Sequence, residues 1–98
     1  MGQYKLTNDA DSDVAQIYQD GSEMFGAAQA EKYAMEMAKH FSFLAEKKTQ
    51  GSDYSHVLPE LRRADYVSHA IYYRHTDYGV LVLRILHGRM DPGRHIAS

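Results

Sequence analysis

The sequence predicts an α+β domain in which one strand and two helices precede a small, mainly antiparallel sheet. Amphipathic helical spacing dominates the first half of the chain, whereas segments rich in Val, Ile, Tyr and Leu dominate the second half. The period changes after a polar stretch that contains Gly51 and Pro59, which is typical of a long loop. The predicted order is therefore β-α-α-β-β-β, with the helical hairpin packed on one face of the sheet.

The N-terminal segment is predicted to form a short strand followed by the helical hairpin. Tyr4 and Leu6 alternate with polar residues, as in a half-buried strand, and the acidic stretch after Thr7 suits a helix N-terminus. Gly26 is expected to end the first helix. The residues that define the apolar stripes are Val14, Ile17, Tyr18 and Phe25 in the first helix, and Ala30, Tyr33, Ala34, Met37, Phe41, Leu44 and Ala45 in the second.

The C-terminal half is predicted to form the rest of the sheet. Residues 48–60 should be a loop, and a strand is expected at Leu61–Ala64. The stretches LRRADYVSHAIYYRH and GVLVLRILH then form a hairpin that turns around Thr76–Gly79. The run VLVLRIL is almost continuously apolar, which is typical of a strand in the middle of a sheet.

Length and composition favour one domain over residues 1–98 and exclude several kinds of chemistry. The chain has no cysteine, so disulfides and thiolate sites are excluded. No apolar stretch is long enough to span a membrane, and the N-terminus lacks the apolar core of a signal peptide, so we expect a cytoplasmic protein. The six histidines do not have metal-binding spacing, so neither a metal nor another cofactor is expected.

Charge is distributed unevenly along the chain. The net charge is −2, residues 1–49 contain all five lysines, and residues 50–98 contain all six arginines. An acidic chain is a poor general binder of nucleic acid, because such binding depends on neutralising phosphates. Arginines that gather late, above all in the closing stretch RILHGRMDPGRHIAS, instead predict a local recognition surface.

The stretch HAIYYRHTDYGVLVLRILHGRMDPGRH resembles the RelE/ParE superfamily of bacterial toxins, and ParE most of all. The N-terminal half is similar to the same family more loosely. ParE-like chains have an aromatic strand that ends in Tyr-Arg, a turn with Asp and Gly, an apolar strand, a His-Gly-Arg triplet and a closing Asp-Pro. The matching residues here are Tyr73, Arg74, Asp77, Gly79, Val80–Leu86, His87, Gly88, Arg89, Asp91 and Pro92.

The resemblance to ParE implies a toxin that is not an enzyme and that inhibits DNA gyrase. It also implies a hetero-oligomer with a ParD-like ribbon-helix-helix antitoxin, whose C-terminal segment wraps over exposed apolar residues of the toxin. DNA would be contacted only through the antitoxin or the gyrase. The residues expected to bind the target are Arg74, Arg84, His87, Arg89, Met90, Arg94 and His95. The residues expected to bind the antitoxin are Tyr18, Met24, Phe25, Tyr33 and Phe41.

Two other functions remain open at this point. A ribosome-dependent ribonuclease of the RelE type would use a tyrosine near the C-terminus, but the last tyrosine here is Tyr78. His87 together with Arg74 and Arg84 could replace it as acid–base and charge-stabilising groups. A non-toxic relative that only binds the antitoxin is the third possibility. Arg74 and Arg84 could also be solvent-face charges that pair with nearby carboxylates.

Overall fold

The computed structural model describes residues 2–96 and has the predicted α+β class and element order. The elements are β1 (Gln3–Leu6), α1 (Asn8–Phe25), α2 (Ala27–Glu46), β2 (Ser52–Asp53), β3 (Arg62–Tyr66), β4 (His69–His75), β5 (Gly79–His87) and α3 (Pro92–His95). Two elements were not predicted. β2 lies inside the polar loop, and α3 is a single helical turn in the C-terminal stretch.

The strands form one mixed sheet in the order β1-β5-β4-β3-β2. β1 pairs with β5 in parallel and the other neighbours are antiparallel, so the mainly antiparallel sheet is confirmed. The apolar strand β5 is an interior strand, also as predicted. The register between β4 and β5 shifts at Tyr72 and Tyr73, which face Arg84 and Val82. Leu83 is therefore an additional residue in β5 and forms a bulge.

Local capping explains the helical hairpin. The Thr7 hydroxyl accepts a hydrogen bond from the Ala10 amide at 3.1 Å, which satisfies one of the free donors at the start of α1. Gly26 separates the helices with φ of 92°, a left-handed backbone that glycine adopts without a Cβ clash. The prediction that Gly26 ends the first helix is confirmed. One residue is thus enough to reverse the chain into α2.

The main core lies between the helical hairpin and the sheet. From α2 it takes Met37, Phe41, Leu44 and Ala45, as the predicted stripe requires. The stripe predicted for α1 is wrong at Tyr18 and Phe25, which are exposed. Phe25 lines a groove between the end of α1 and the sheet, and Tyr18 faces solvent.

A second, smaller core covers the opposite face of the sheet. Tyr72 and Leu86 are buried there beneath the loop that precedes β3. Ile96, just after α3, packs against the same cluster. The C-terminal stretch is therefore attached to the sheet over the part of the chain that the structure describes.

Candidate partner-binding groove and C-terminal arm

A groove of about 770 Å³ opens between the helical hairpin and one end of the sheet. Its walls are the end of α1 and the start of α2, and its floor is formed by the β3–β4 turn and the end of β5. Apolar groups dominate its surface. The lining residues are Ile17, Asp20, Gly21, Met24, Phe25, Gln29, Ala30, Tyr33, Ser68, His69 and His87.

The groove brings together three of the five residues predicted to bind the antitoxin. Met24 and Phe25 are 72% and 69% exposed, which is unusual for large apolar side chains at adjacent positions. Tyr33 is half-buried in the opposite wall, on α2. Tyr18 is exposed but does not line the groove. These positions make Met24, Phe25 and Tyr33 the stronger candidates.

The inclusion of Phe41 in that set needs correction. Phe41 is only 2% exposed and belongs to the main core. Its ring packs edge-on against Tyr4 of β1, with 5.2 Å between the ring centroids. α2 turns this position towards the sheet, so Phe41 cannot contact a partner without unfolding.

The floor of the groove is a small polar cluster. The Tyr33 hydroxyl lies 2.8 Å from Nδ1 of His69, and the rings of His69 and His87 are 5.9 Å apart. Partial burial, together with the neighbouring His87, lowers the pKa of His69 below its ordinary value. Burial also raises the pKa of Tyr33. Both groups are therefore neutral near pH 7 and can face an apolar occupant.

Residues 88–96 form a short arm, called here the C-terminal arm, beside the groove. Asp91 caps α3 by accepting a hydrogen bond from the Gly93 amide at 3.0 Å. Arg89 and Arg94 are exposed, and Arg94 forms only a long, solvent-exposed ion pair of 3.9 Å with Asp91. Met90 adds an apolar side chain that is 38% exposed. The arm thus presents two cations and a flexible apolar group together.

Arg84 is not a free recognition group, although it was assigned to the target-binding set. Its Nε and Nη2 donate to both carboxylate oxygens of Asp13 at 2.8 and 2.9 Å. Nη1 donates to the carbonyl of His95 at 3.2 Å. The hydrogen bonds to Asp13 also raise the pKa of Arg84. A guanidinium with this set of internal partners has a structural role and would have to leave them to contact a target.

Arg74 lies far from the other residues assigned to the target. In the register of β4 and β5, Arg74 faces Leu81, whereas His69 faces His87. His69 and Arg74 are five positions apart in β4, which puts the two pairs about 17 Å apart at the usual rise of a strand. Arg74 and His87 therefore cannot act on one bond. The trio of Arg74, Arg84 and His87 considered for a ribonuclease is not assembled.

Sequence reasoning missed two polar clusters. In the sequence, Asp13 is only one of several acidic residues that suit the start of a helix. In the structure its carboxylate accepts hydrogen bonds from the Arg84 guanidinium and from the Ile85 amide. Arg63 donates to Asp65 and to the hydroxyls of Tyr54 and Tyr72. No local spacing connects Asp13 to Arg84, or Arg63 to the two tyrosines, although Asp65 lies two residues from Arg63 in the same strand. The only hint in the sequence is a charged residue within an otherwise apolar strand, such as Arg84 in β5, because such a charge needs a partner when the strand is buried.

A smaller cavity of about 280 Å³ joins the groove to the arm. It shares Ile17, Asp20, His69 and His87 with the groove and extends to Met90. Asp13 and Arg84 line it as well. A single extended or helical segment could therefore run from Phe25 to the arm along one continuous surface.

Residues 2–96 contain no cluster of three or more groups suited to hold a metal ion. Over the same range, no helix is long and apolar enough to cross a membrane.

Comparison with known proteins gives consistent results. The sequence profile of the family described as "ParE toxin of type II toxin-antitoxin system, parDE" matches residues 4–92. The chain is 28% identical over 96 residues to Toxin ParE1 of Caulobacter vibrioides, covering 98% of this chain and 99% of that protein. It is 30% identical over 94 residues to Toxin ParE1 of Mycobacterium tuberculosis H37Rv, covering 95% of this chain and 96% of that protein.

The fold is also similar to that of a solved structure. A chain of the chromosomal ParDE TA system from P. aeruginosa matches with a TM-score of 0.73. The match covers 89% of this chain and 96% of that chain, at 21% sequence identity. At that identity the similarity concerns the fold.

Proposed function

This chain belongs to the ParE toxins of type II toxin–antitoxin systems, and we propose that it inhibits DNA gyrase and is neutralised by a ParD-like antitoxin. The toxin acts by binding rather than by catalysis. The C-terminal arm contacts the gyrase, and the groove holds the C-terminal segment of the antitoxin in a cytoplasmic hetero-oligomer. DNA is contacted only through these partners.

The proposed contact with gyrase rests on one observation, which is the pair of exposed arginines on the folded C-terminal arm. Guanidinium groups form bidentate contacts with carboxylates and phosphates, and a gyrase bound to DNA offers both. Arg89 and Arg94 have the exposure that such contacts need. Met90 can fill an apolar gap between them because its side chain adapts to many shapes. His87 and His95 lie at the two ends of this surface.

The antitoxin half rests on the groove. A disordered segment that folds on binding needs exposed apolar surface as its anchor. Met24 and Phe25 supply that surface. The uncharged rings of Tyr33 and His69 line the groove opposite them. Arg74 lies outside the groove and the arm, and would take part only as a separate, peripheral contact.

The test is a supercoiling assay with purified gyrase, run beside a ribosome-bound messenger RNA cleavage assay. We expect the toxin to block supercoiling or to accumulate cleaved DNA, and to leave the messenger RNA intact. Cleaved messenger RNA with normal supercoiling would mean a ribonuclease of the RelE type. No effect in either assay, with antitoxin binding retained, would mean a non-toxic relative.

A double substitution tests the role of the arm. Arg89→Ala with Arg94→Ala should raise the toxin concentration needed for half-inhibition of gyrase by about tenfold or more, since two charged contacts are lost. The matched control is Lys47→Ala with Lys48→Ala, which removes two exposed cations after α2. Equal inhibition by both double variants and the wild type would show that the arm does not contact the target.

A further inference from the structure

The start of the C-terminal arm is fastened to β3 and to the β3–β4 turn. The Gly88 amide donates to the Ser68 carbonyl at 2.9 Å. The Gly88 carbonyl accepts from Nη2 of Arg63 at 3.4 Å. Arg63 is itself held by Asp65 at 2.9 Å and by the hydroxyl of Tyr72 at 3.2 Å. These contacts fix the point at which the chain leaves β5.

The far end of the arm is fastened to α1 through Arg84. The Arg84 guanidinium bridges the carbonyl of His95, at the end of α3, and the carboxylate of Asp13, in α1. The side chains of Arg84 and Asp13 are only 22% and 15% exposed. Partial burial strengthens a bidentate ion pair because less water competes for its donors and acceptors. The two residues are far apart in the sequence, so the ion pair links α1 to β5, which are not neighbours along the chain.

From these contacts we infer that Arg63 and Arg84 are positioning residues, which hold both ends of the C-terminal arm so that it presents Arg89 and Arg94 in one orientation. The inference rests on the proposed role of the arm in binding gyrase. An arm that is already ordered loses less conformational freedom on binding, so its affinity is higher. If the arm detaches in some molecules, the apparent affinity for gyrase is reduced in proportion to the fraction of molecules in which the arm remains attached.

Two substitutions weaken the link between the far end and α1 by different chemistry, and the packing of Ile96 on the sheet remains in both. Asp13→Asn removes the charge of the carboxylate while keeping its shape, and Arg84→Lys keeps the positive charge while removing the guanidinium fork. The matched control is Asp11→Asn, which makes the same change at an exposed position of α1. The variants are studied as the full chain, and circular dichroism checks that the fold is retained.

Limited proteolysis measures how often the arm detaches, and this measurement does not depend on the identity of the target. Trypsin cleaves after Arg89 and Arg94, both exposed on the arm, and mass spectrometry separates these products from those cut after Lys47 and Lys48. We expect cleavage in the arm to become about tenfold faster in both variants, because cleavage follows the population of the open state. Cleavage after Lys47 and Lys48 should keep the wild-type rate. General destabilisation would speed up cleavage at both places and would overturn the inference.

The supercoiling assay then connects the arm to the target. The toxin concentration for half-inhibition should rise in inverse proportion to the fraction of molecules whose arm remains attached, while the maximal inhibition stays the same. Unchanged half-inhibition by a variant whose arm is detached in most molecules would show that the orientation of the arm is irrelevant to the target. Unchanged arm cleavage would show that Arg84 does not hold the arm. If the wild type fails to inhibit gyrase, the proposed function is wrong, and the proteolysis alone decides whether the arm is held.

Discussion

Val67 shows how a single residue departs from what its position favours. It is the first of the two residues that join β3 to β4, because Tyr66 and His69 on either side are paired. Its φ is 54°, the left-handed region that β-branched side chains avoid, and the side chain is 79% exposed. A two-residue turn with positive φ at its first position usually has glycine there. Val67 is therefore strained and gains little from packing.

Val67→Gly should stabilise the free protein. Relief of the left-handed strain is worth about 1–2 kcal/mol, and the added freedom of glycine in the unfolded chain offsets about 0.5–1 kcal/mol of it. We expect a net gain of about 0.5–1 kcal/mol in the free energy of unfolding, measured by urea denaturation. The matched control is Glu60→Gly, where φ is 66° but the side chain is not β-branched, and the gain should be smaller. A loss of stability at position 67 would mean that the valine makes compensating contacts.

Among the elements, α1 has two different halves. Its first half packs on the sheet and supplies Ala10 to the core, while Asp13 fastens β5 and the arm. Its second half lines the groove and ends with Met24 and Phe25 exposed. An amphipathic stripe alone does not reveal this division, because the same apolar spacing serves the core at one end and a partner surface at the other. One helix therefore links the fold to the proposed binding sites.

Met24→Ser with Phe25→Ser should weaken binding of the antitoxin about 100-fold. Burying a large apolar side chain contributes about 1.5–3 kcal/mol, so losing two costs at least about 3 kcal/mol, and about 100-fold is the lower end of the expected loss of affinity. The stability of the free toxin should hardly change because both side chains are exposed. Calorimetric titration with the C-terminal peptide of the antitoxin measures the affinity.

The control for this prediction is Met35→Ser with Phe43→Ser. Both residues are large, apolar and exposed on α2, and neither lines the groove. Antitoxin affinity should stay at the wild-type value in this variant. If the control weakens binding as much as the groove variant, the antitoxin lies on the outer face of α2 instead.

For the whole molecule, the sheet is covered on both faces. The helical side contains two histidines that are costly to charge, namely His40 on α2 and His69 in the groove. Burial lowers the pKa of His40, and burial together with His87 lowers the pKa of His69. In the unfolded chain both groups bind protons more readily than in the folded protein. The folded state is therefore disfavoured as they become protonated.

The free energy of unfolding should consequently fall as pH is lowered from about 7 to about 5. The contribution of His69 is complete above its ordinary pKa and is lost as pH falls from that value towards its lowered pKa in the fold. His69→Gln should reduce the pH dependence in denaturation experiments across this range. The matched control is His56→Gln, the same substitution at an exposed position of the loop before β3. A slope that is equal in all three proteins would contradict the pKa shift of His69.

The class, the order of the main elements and the family could be predicted from the sequence alone, because these depend on local patterns. Helical spacing in α2, the capping residue Thr7, the break at Gly26 and the apolar run of β5 all act between neighbouring residues. The stretch from His69 to Pro92 was specific enough to indicate a ParE toxin. Arg89 and Arg94 were expected to bind the target, and the structure leaves both exposed, so that role stays a prediction.

Which of the candidate residues are exposed and free to bind a partner became clear only from the folded structure. Phe41 and Tyr18 have the same apolar character and similar helical spacing, yet the first is buried and the second is exposed. Arg84 and Arg89 are five positions apart, yet one is bound by Asp13 and the other faces solvent. The physical reason is that burial and ion pairing depend on contacts between residues far apart in the chain. Those contacts exist only after α1 has packed beside β5, and no spacing within a short stretch encodes them.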